Sequence, residues 1–150
     1  MASSGVKMNL KGWKQYLDQL QAAGKDIDKE AEKCIKKSAE ITEKVIREEA
    51  ETAGVPGDLV QEISTEITHN GNSYYADIGW KKGEYNPRKL STGYKIIFMN
   101  YGTVKRHTRL KRNRGKITAM GFVERANKKA NTKVKKEQKE ALKDMLKGLQ

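Results

Sequence analysis

Along the chain, apolar residues recur at helical spacing near both ends and in a long early stretch, while the middle alternates or clusters. Leu10, Trp13, Leu17 and Leu20 fall on one face of a short helix that Asn9 caps and Gly24 ends. A longer helix is expected over about 26–53, with Ile27, Ala31, Ile35, Ala39, Thr42, Ile46 and Ala53 on or near one stripe. Asp26, Asp28, Glu30 and Glu32 near its start suit the positive end of the helix dipole. Gly54-Val55-Pro56-Gly57-Asp58 breaks it, because a proline and two glycines in five residues do not continue a helix.

The pattern then changes. Residues 60–68 are rich in Ile and Thr, and residues 73–80 carry Tyr74, Tyr75, Ile78 and Trp80. Between them lies His69-Asn70-Gly71-Asn72, and Asn-Gly suits a type I′ turn, which needs positive φ at both central residues. Two antiparallel strands are expected. Residues 81–93 read as a long polar loop. Tyr94 to Tyr101 has the composition of a strand, yet Ser91 or Thr92 is placed to cap a short helix there, so both forms stay open. Residues 105–117 read as a flexible basic arm, since Leu110 is the one apolar side chain between Lys105 and Lys116. Over 119–149, Phe122, Ala126, Ala130, Val134, Ala141, Met145 and Leu149 step at helical intervals, giving one long amphipathic helix. Gln138 interrupts that stripe, leaving the far half free to project or to pack on another subunit. The expected fold is a single α+β domain over 1–150, with N-terminal helices, a small antiparallel hairpin sheet, a flexible basic loop and a long C-terminal helix, after a flexible leader at 1–8.

Charge divides the chain more sharply than hydropathy does. The net +12 is confined to its last third: residues 1–104 hold 15 Lys/Arg and 15 Asp/Glu, and residues 105–150 hold 16 and 4. A field of that sign attracts nucleic acid, acidic protein surfaces or anionic membranes. Cys34 is the one cysteine, so no intrachain disulfide or cysteine metal cluster is available, and a reducing compartment is expected. Its place near the long helix's stripe reads as a small buried hydrophobe. Neither an apolar run of membrane-spanning length nor a secretory leader is visible, so no membrane association is expected.

Candidate chemistry is sparse. His69 sits at the hairpin turn and His107 in the basic arm, neither beside a carboxylate or serine in sequence. Gly54 to Gly57 lacks the Lys-Ser/Thr partner of a phosphate loop and precedes an expected strand. Glu48, Glu49 and Glu51 read as a solvated face, and Trp13 and Trp80 as core residues. No enzyme activity, metal or cofactor is expected; a hydrolase would rest on scattered carboxylates alone. The distinctive feature is the arm, in which Lys105, Arg106, Arg109, Lys111, Arg112, Arg114 and Lys116 are each suited to a phosphate or an acidic partner. Aromatic residues are missing between Val104 and Phe122, which argues against base stacking.

The order of these elements resembles a family of small head-tail joining or tail-completion proteins of long-tailed bacteriophages, found also in tail-like particles. The matching segments are Val55-Pro56-Gly57-Asp58-Leu59, then Tyr94 to Tyr101-Gly102-Thr103, then Met120-Gly121-Phe122-Val123-Glu124-Arg125-Ala126. They correspond to a family pattern of a helix ending in Ala-Pro-x-Asp-Thr-Gly-x-Leu, an aromatic run ending in an acidic residue and Tyr/Phe-Gly-Thr, and a Pro-Phe-Leu-Arg-Pro-Ala-like start of a lysine-rich helix. Here the Thr-Gly is absent, Asn100 stands where the family has the acidic residue, and the last helix starts without prolines. On this resemblance Pro56, Asp58, Leu59, Tyr101, Gly102, Thr103, Phe122, Arg125 and Ala126 are the structural motif residues. It implies a non-enzymatic subunit of a homo-oligomeric ring, hexameric by analogy, at the neck of a tail. Such a ring caps the tail tube, docks a connector, neck or sheath protein, and surrounds the path of double-stranded DNA. The implied location is a virion or tail-like particle assembled in a bacterial cytoplasm. The competing reading is a stand-alone nucleic-acid-binding protein without sequence preference.

Overall fold

The computed structural model describes residues 18, 27–71, 73–106 and 113–147. The expected leader, nearly all of the first expected helix with Trp13, and the arm's His107, Arg109, Lys111 and Arg112 lie outside the described residues. The long helix α1 spans Ile27–Thr52 and is followed by a short helix α2, Gly57–Gln61. A hairpin comes next, β1 Ser64–Asn70 and β2 Ser73–Gly79, then α3, Thr92–Tyr101, and the final helix α4, Phe122–Lys147. The fold is α+β.

The stripe read from the sequence is the buried face of α1: Ile35, Ala39, Thr42 and Ile46 are all buried, joined by Val45 and Ala50. Helix α4 lies antiparallel along it. Glu49 near the end of α1 pairs with Arg125 and Lys129 at the start of α4, while Lys37 pairs with Glu137 further along. Small residues allow this close approach, since Ala50, Ala126 and Ala130 are fully covered. The Lys37–Glu137 pair keeps α4 on α1 at least to Glu137, past Val134.

The hairpin closes the other side of the core. Its strands pair antiparallel with Ile67 opposite Ala76 and Thr65 opposite Ile78, and Gly71 takes φ 60° at the turn. Ile78 is buried, and Ile67 and Ala76 pack against the core. The first strand starts later than expected. Leu59, Val60 and Ile63 are buried, but Leu59 and Val60 belong to α2, because the amides of both bond back to the Pro56 carbonyl. A five-residue apolar cluster does not distinguish one helical turn from a strand.

Residues Tyr94 to Tyr101 are helical, settling the open alternative. Gly93, Ile96 and Asn100 are the buried positions of α3, a spacing of three and four that only a helix places on one face. Ser91 occupies the N-cap position without capping through its side chain; its hydroxyl donates instead to the Lys82 carbonyl. Trp80 joins the core as expected. Its ring meets Phe122 edge-on at 5.9 Å, and its indole N–H donates to the Leu59 carbonyl at 2.6 Å. Cys34 is half-buried, and burial pushes its thiol pKa up, away from the reactive thiolate.

Candidate docking surface

The loop from α3 to α4 returns to its own start. At the C-terminus of α3 the backbone turns at Gly102, with φ 75° and ψ −175°. From there the chain leaves as a limb and comes back alongside itself: the Thr103 amide donates to Ile117, Arg106 to Gly115, and Arg114 to Arg106. The Ile117 amide donates to the Thr103 hydroxyl at 3.0 Å, and the Asn113 side chain accepts from the Gly115 amide. The described ends of the arm are two backbone-paired limbs. Side-chain burial was the missing ingredient in the sequence, and backbone hydrogen bonds supply the order instead.

Asn100 ties the base of these limbs to α4. It is 2 % exposed, its amide donates to both carboxylate oxygens of Glu124 at 3.1 and 3.0 Å, and its carbonyl oxygen accepts from the Val123 amide. The last bond satisfies one of the free N–H groups in the first turn of α4, in the manner of a cap supplied from another element. Backbone bonds from Gly121 to Asn100 and from Met120 to Met99 complete the joint. Partial desolvation of its hydroxyl, with the neighbouring Glu124 carboxylate adding to it, raises the pKa of the otherwise exposed Tyr101.

Of the arm residues singled out in the sequence, Lys105, Arg106, Arg114 and Lys116 are described, and all four are exposed. Their side chains form no ion pair among the described residues. The motif residues are placed as follows. Pro56 precedes α2 as its N-cap, Asp58 is exposed in its first turn and Leu59 is buried. Tyr101 is exposed and Gly102 and Thr103 form the turn; Phe122 and Ala126 are fully buried, and Arg125 bridges Glu49 and the Met120 carbonyl.

Glu49 was misread as part of a solvated face. It is buried between Arg125, at 3.2 Å, and Lys129. The signal was available, because Glu49 lies seven residues after Thr42 and so continues the inward stripe. The hydrogen bond from Lys129 is the main force holding the Glu49 carboxyl below the usual carboxylate range, with Arg125 adding to it against the cost of burial. A folded-state pKa below the unfolded value contributes stability at neutral pH that is lost as pH falls through the folded value. Glu49→Gln is therefore expected to cost about 1–2 kcal/mol at pH 7, limited because both cations are half-exposed. Urea titrations of the two proteins should converge below the carboxylate range; a difference that persists there would contradict the ionic account.

Glu43, Arg47 and Thr65 form a second polar link. The Arg47 guanidinium donates to Glu43 and to the Val60 and Ile63 carbonyls, and Thr65 donates to Glu43 at 2.7 Å. This fixes the α2–β1 junction against α1. His69 stacks on Tyr74 with centroids 4.3 Å apart. Among the described residues no group of three or more His, Cys, Asp or Glu is arranged to hold a metal ion, and no helix is long and apolar enough to cross a membrane. The exposed basic side chains stand on two backbone-paired limbs whose base is tied through Asn100 to the start of α4. Comparisons with protein-family models, with curated proteins and with solved structures found no match for the chain.

Proposed function

We propose that this protein is a structural assembly subunit at the neck of a phage tail or tail-like particle, acting as a ring that caps the tail tube and docks a connector. The observation that carries the reading is the joint at Asn100 to Glu124. The two most telling segments of the family resemblance, Tyr101-Gly102-Thr103 and the start of α4, are separated by a long basic loop in sequence and meet in space. The departures from the family pattern pair with each other. Where the family has an acidic residue, this chain has Asn100, and the carboxylate that meets it comes from Glu124 on the facing helix. A joint of this kind presents the basic ribbon from a fixed base, as a docking element requires, and a ring multiplies its charge around one axis.

The ribbon's unpaired cations also suit the phosphates of DNA passing through such a ring, and they are the one feature that favours a stand-alone nucleic-acid-binding protein. Replacing Lys105, Arg106, Arg114 and Lys116 together by Gln tests the assignment in the particle. All four side chains are exposed, so the variant should keep wild-type stability within about 0.5 kcal/mol. Particle yield or DNA retention should fall. Unchanged yield and DNA content would remove the ribbon from the mechanism, and a variant that fails to fold would contradict its place outside the core.

A further inference from the structure

From the distribution of unpaired charge and exposed apolar surface, and resting on the ring reading above, we infer that the basic ribbon and the outer face of α3 dock onto the outer face of α1 in a second copy of this chain. The donor surface is mixed. Ile97 and Tyr101, one turn apart on α3, are exposed, Tyr101 at 62 %, and Val104 in the first limb is 83 % exposed. A helix as apolar as α3 is ordinarily covered on every side. Lys105, Arg106, Arg114 and Lys116 continue this surface along the limbs without an acidic partner in their own subunit among the described residues.

The complementary surface is on the same chain. Residues 40–79 hold nine Asp/Glu against two Lys/Arg, the reverse of the C-terminal third. Glu40, Glu43, Lys44, Arg47, Glu48 and Glu51 line a shallow groove along α1. Glu40, Glu48 and Glu51 are exposed there, and the described contacts give their carboxylates no cation. This groove faces away from the stripe of Ile35, Ala39 and Ile46 that packs into the core. One subunit thus carries a basic, apolar-edged patch and an acidic patch at different places on its surface. Two different patches that fit each other make a head-to-tail contact, the kind that closes into rings.

Sedimentation velocity of the full chain tests this with charge reversal. The ribbon set is Lys105→Glu, Arg106→Glu, Arg114→Glu and Lys116→Glu; the helix set is Glu40→Lys, Glu48→Lys and Glu51→Lys. The wild type should self-associate, less so as salt rises from about 50 to about 500 mM. Each reversed set alone should weaken association at least about tenfold while circular dichroism stays native. Mixing the two reversed proteins, or combining both sets in one chain, should restore association, because every contact then joins opposite charges again. If the helix set associates like the wild type, the interface is wrong while the ring reading stands. A wild type that stays monomeric under all these conditions overturns both. Should the ribbon set lose duplex DNA binding and keep wild-type self-association, the ribbon serves nucleic acid and the inference fails.

Discussion

Phe122→Ala is expected to lower stability by about 3–5 kcal/mol, a large share of the roughly 5–15 kcal/mol that holds a domain of this size together. Phe122 has no exposed surface and sits in the first turn of α4, where its ring meets Trp80 edge-on. Removing the ring leaves a cavity in the cluster that also holds Leu59 of α2 and Ile96 of α3, and against which Trp80, just after β2, packs. The surrounding backbone is fixed by the Trp80 bond to Leu59 and by the joint at Asn100, so collapse into the cavity is limited. Urea unfolding measures the loss, and Phe122→Leu, which keeps most of the volume, should cost less than about 1.5 kcal/mol. A loss below about 1 kcal/mol for the alanine variant would mean that Phe122 does not organise this core.

The second large effect belongs to Gly102→Ala, expected to cost about 3 kcal/mol or more. With φ 75° and ψ −175°, Gly102 occupies backbone space that is essentially restricted to glycine. Space is also lacking. A Cβ there would lie 2.8 Å from the Ala119 nitrogen and 2.8 Å from the Ile117 oxygen, both backbone atoms that cannot swing aside. The limb from Thr103 must then shift, breaking its bonds to Ile117. Amide hydrogen exchange should therefore quicken at Thr103 and Ile117 more than in the middle of α1. A variant as stable as the wild type with both amides still protected would contradict the described turn. On the proposed function the same variant should fail to assemble even where it remains folded, since the ribbon loses its fixed base.

These two positions mark how much was legible in the sequence. Both long helices were readable because Ile35, Ala39, Thr42 and Ile46 in one, and Phe122, Ala126, Ala130 and Val134 in the other, repeat at a spacing that leaves one reading. Asn70-Gly71 located the hairpin because its turn has a narrow residue requirement. Short apolar clusters were not decisive. Val60 reads as the start of a strand and instead shares a helical turn with Leu59, because only the preceding Pro56 carbonyl and the packing against α1 select the helix. Tyr94 to Tyr101 has strand composition and folds as a helix because Ile96 and Asn100 share its buried face.

The candidate surface was half legible. Its charge was plain, but its order was not, since the pairing of Thr103 to Arg106 with Arg114 to Ile117 is made mainly by backbone groups that every residue carries. Asn100 looked like a departure from a motif and proved to be the residue that joins α3 to α4. Glu49 looked like one of several surface glutamates, yet only it continues the inward face of α1 toward Arg125 and Lys129. Partners of this kind lie far apart in sequence and become visible only when two helices are laid side by side.

The measurement that tests the assembly role most directly is negative-stain electron microscopy of the purified protein mixed with tail tubes from the same source. The account predicts closed rings, free in the background and seated on tube ends. A protein that remains a strict monomer, leaves the tube ends bare and still binds duplex DNA tightly would contradict it.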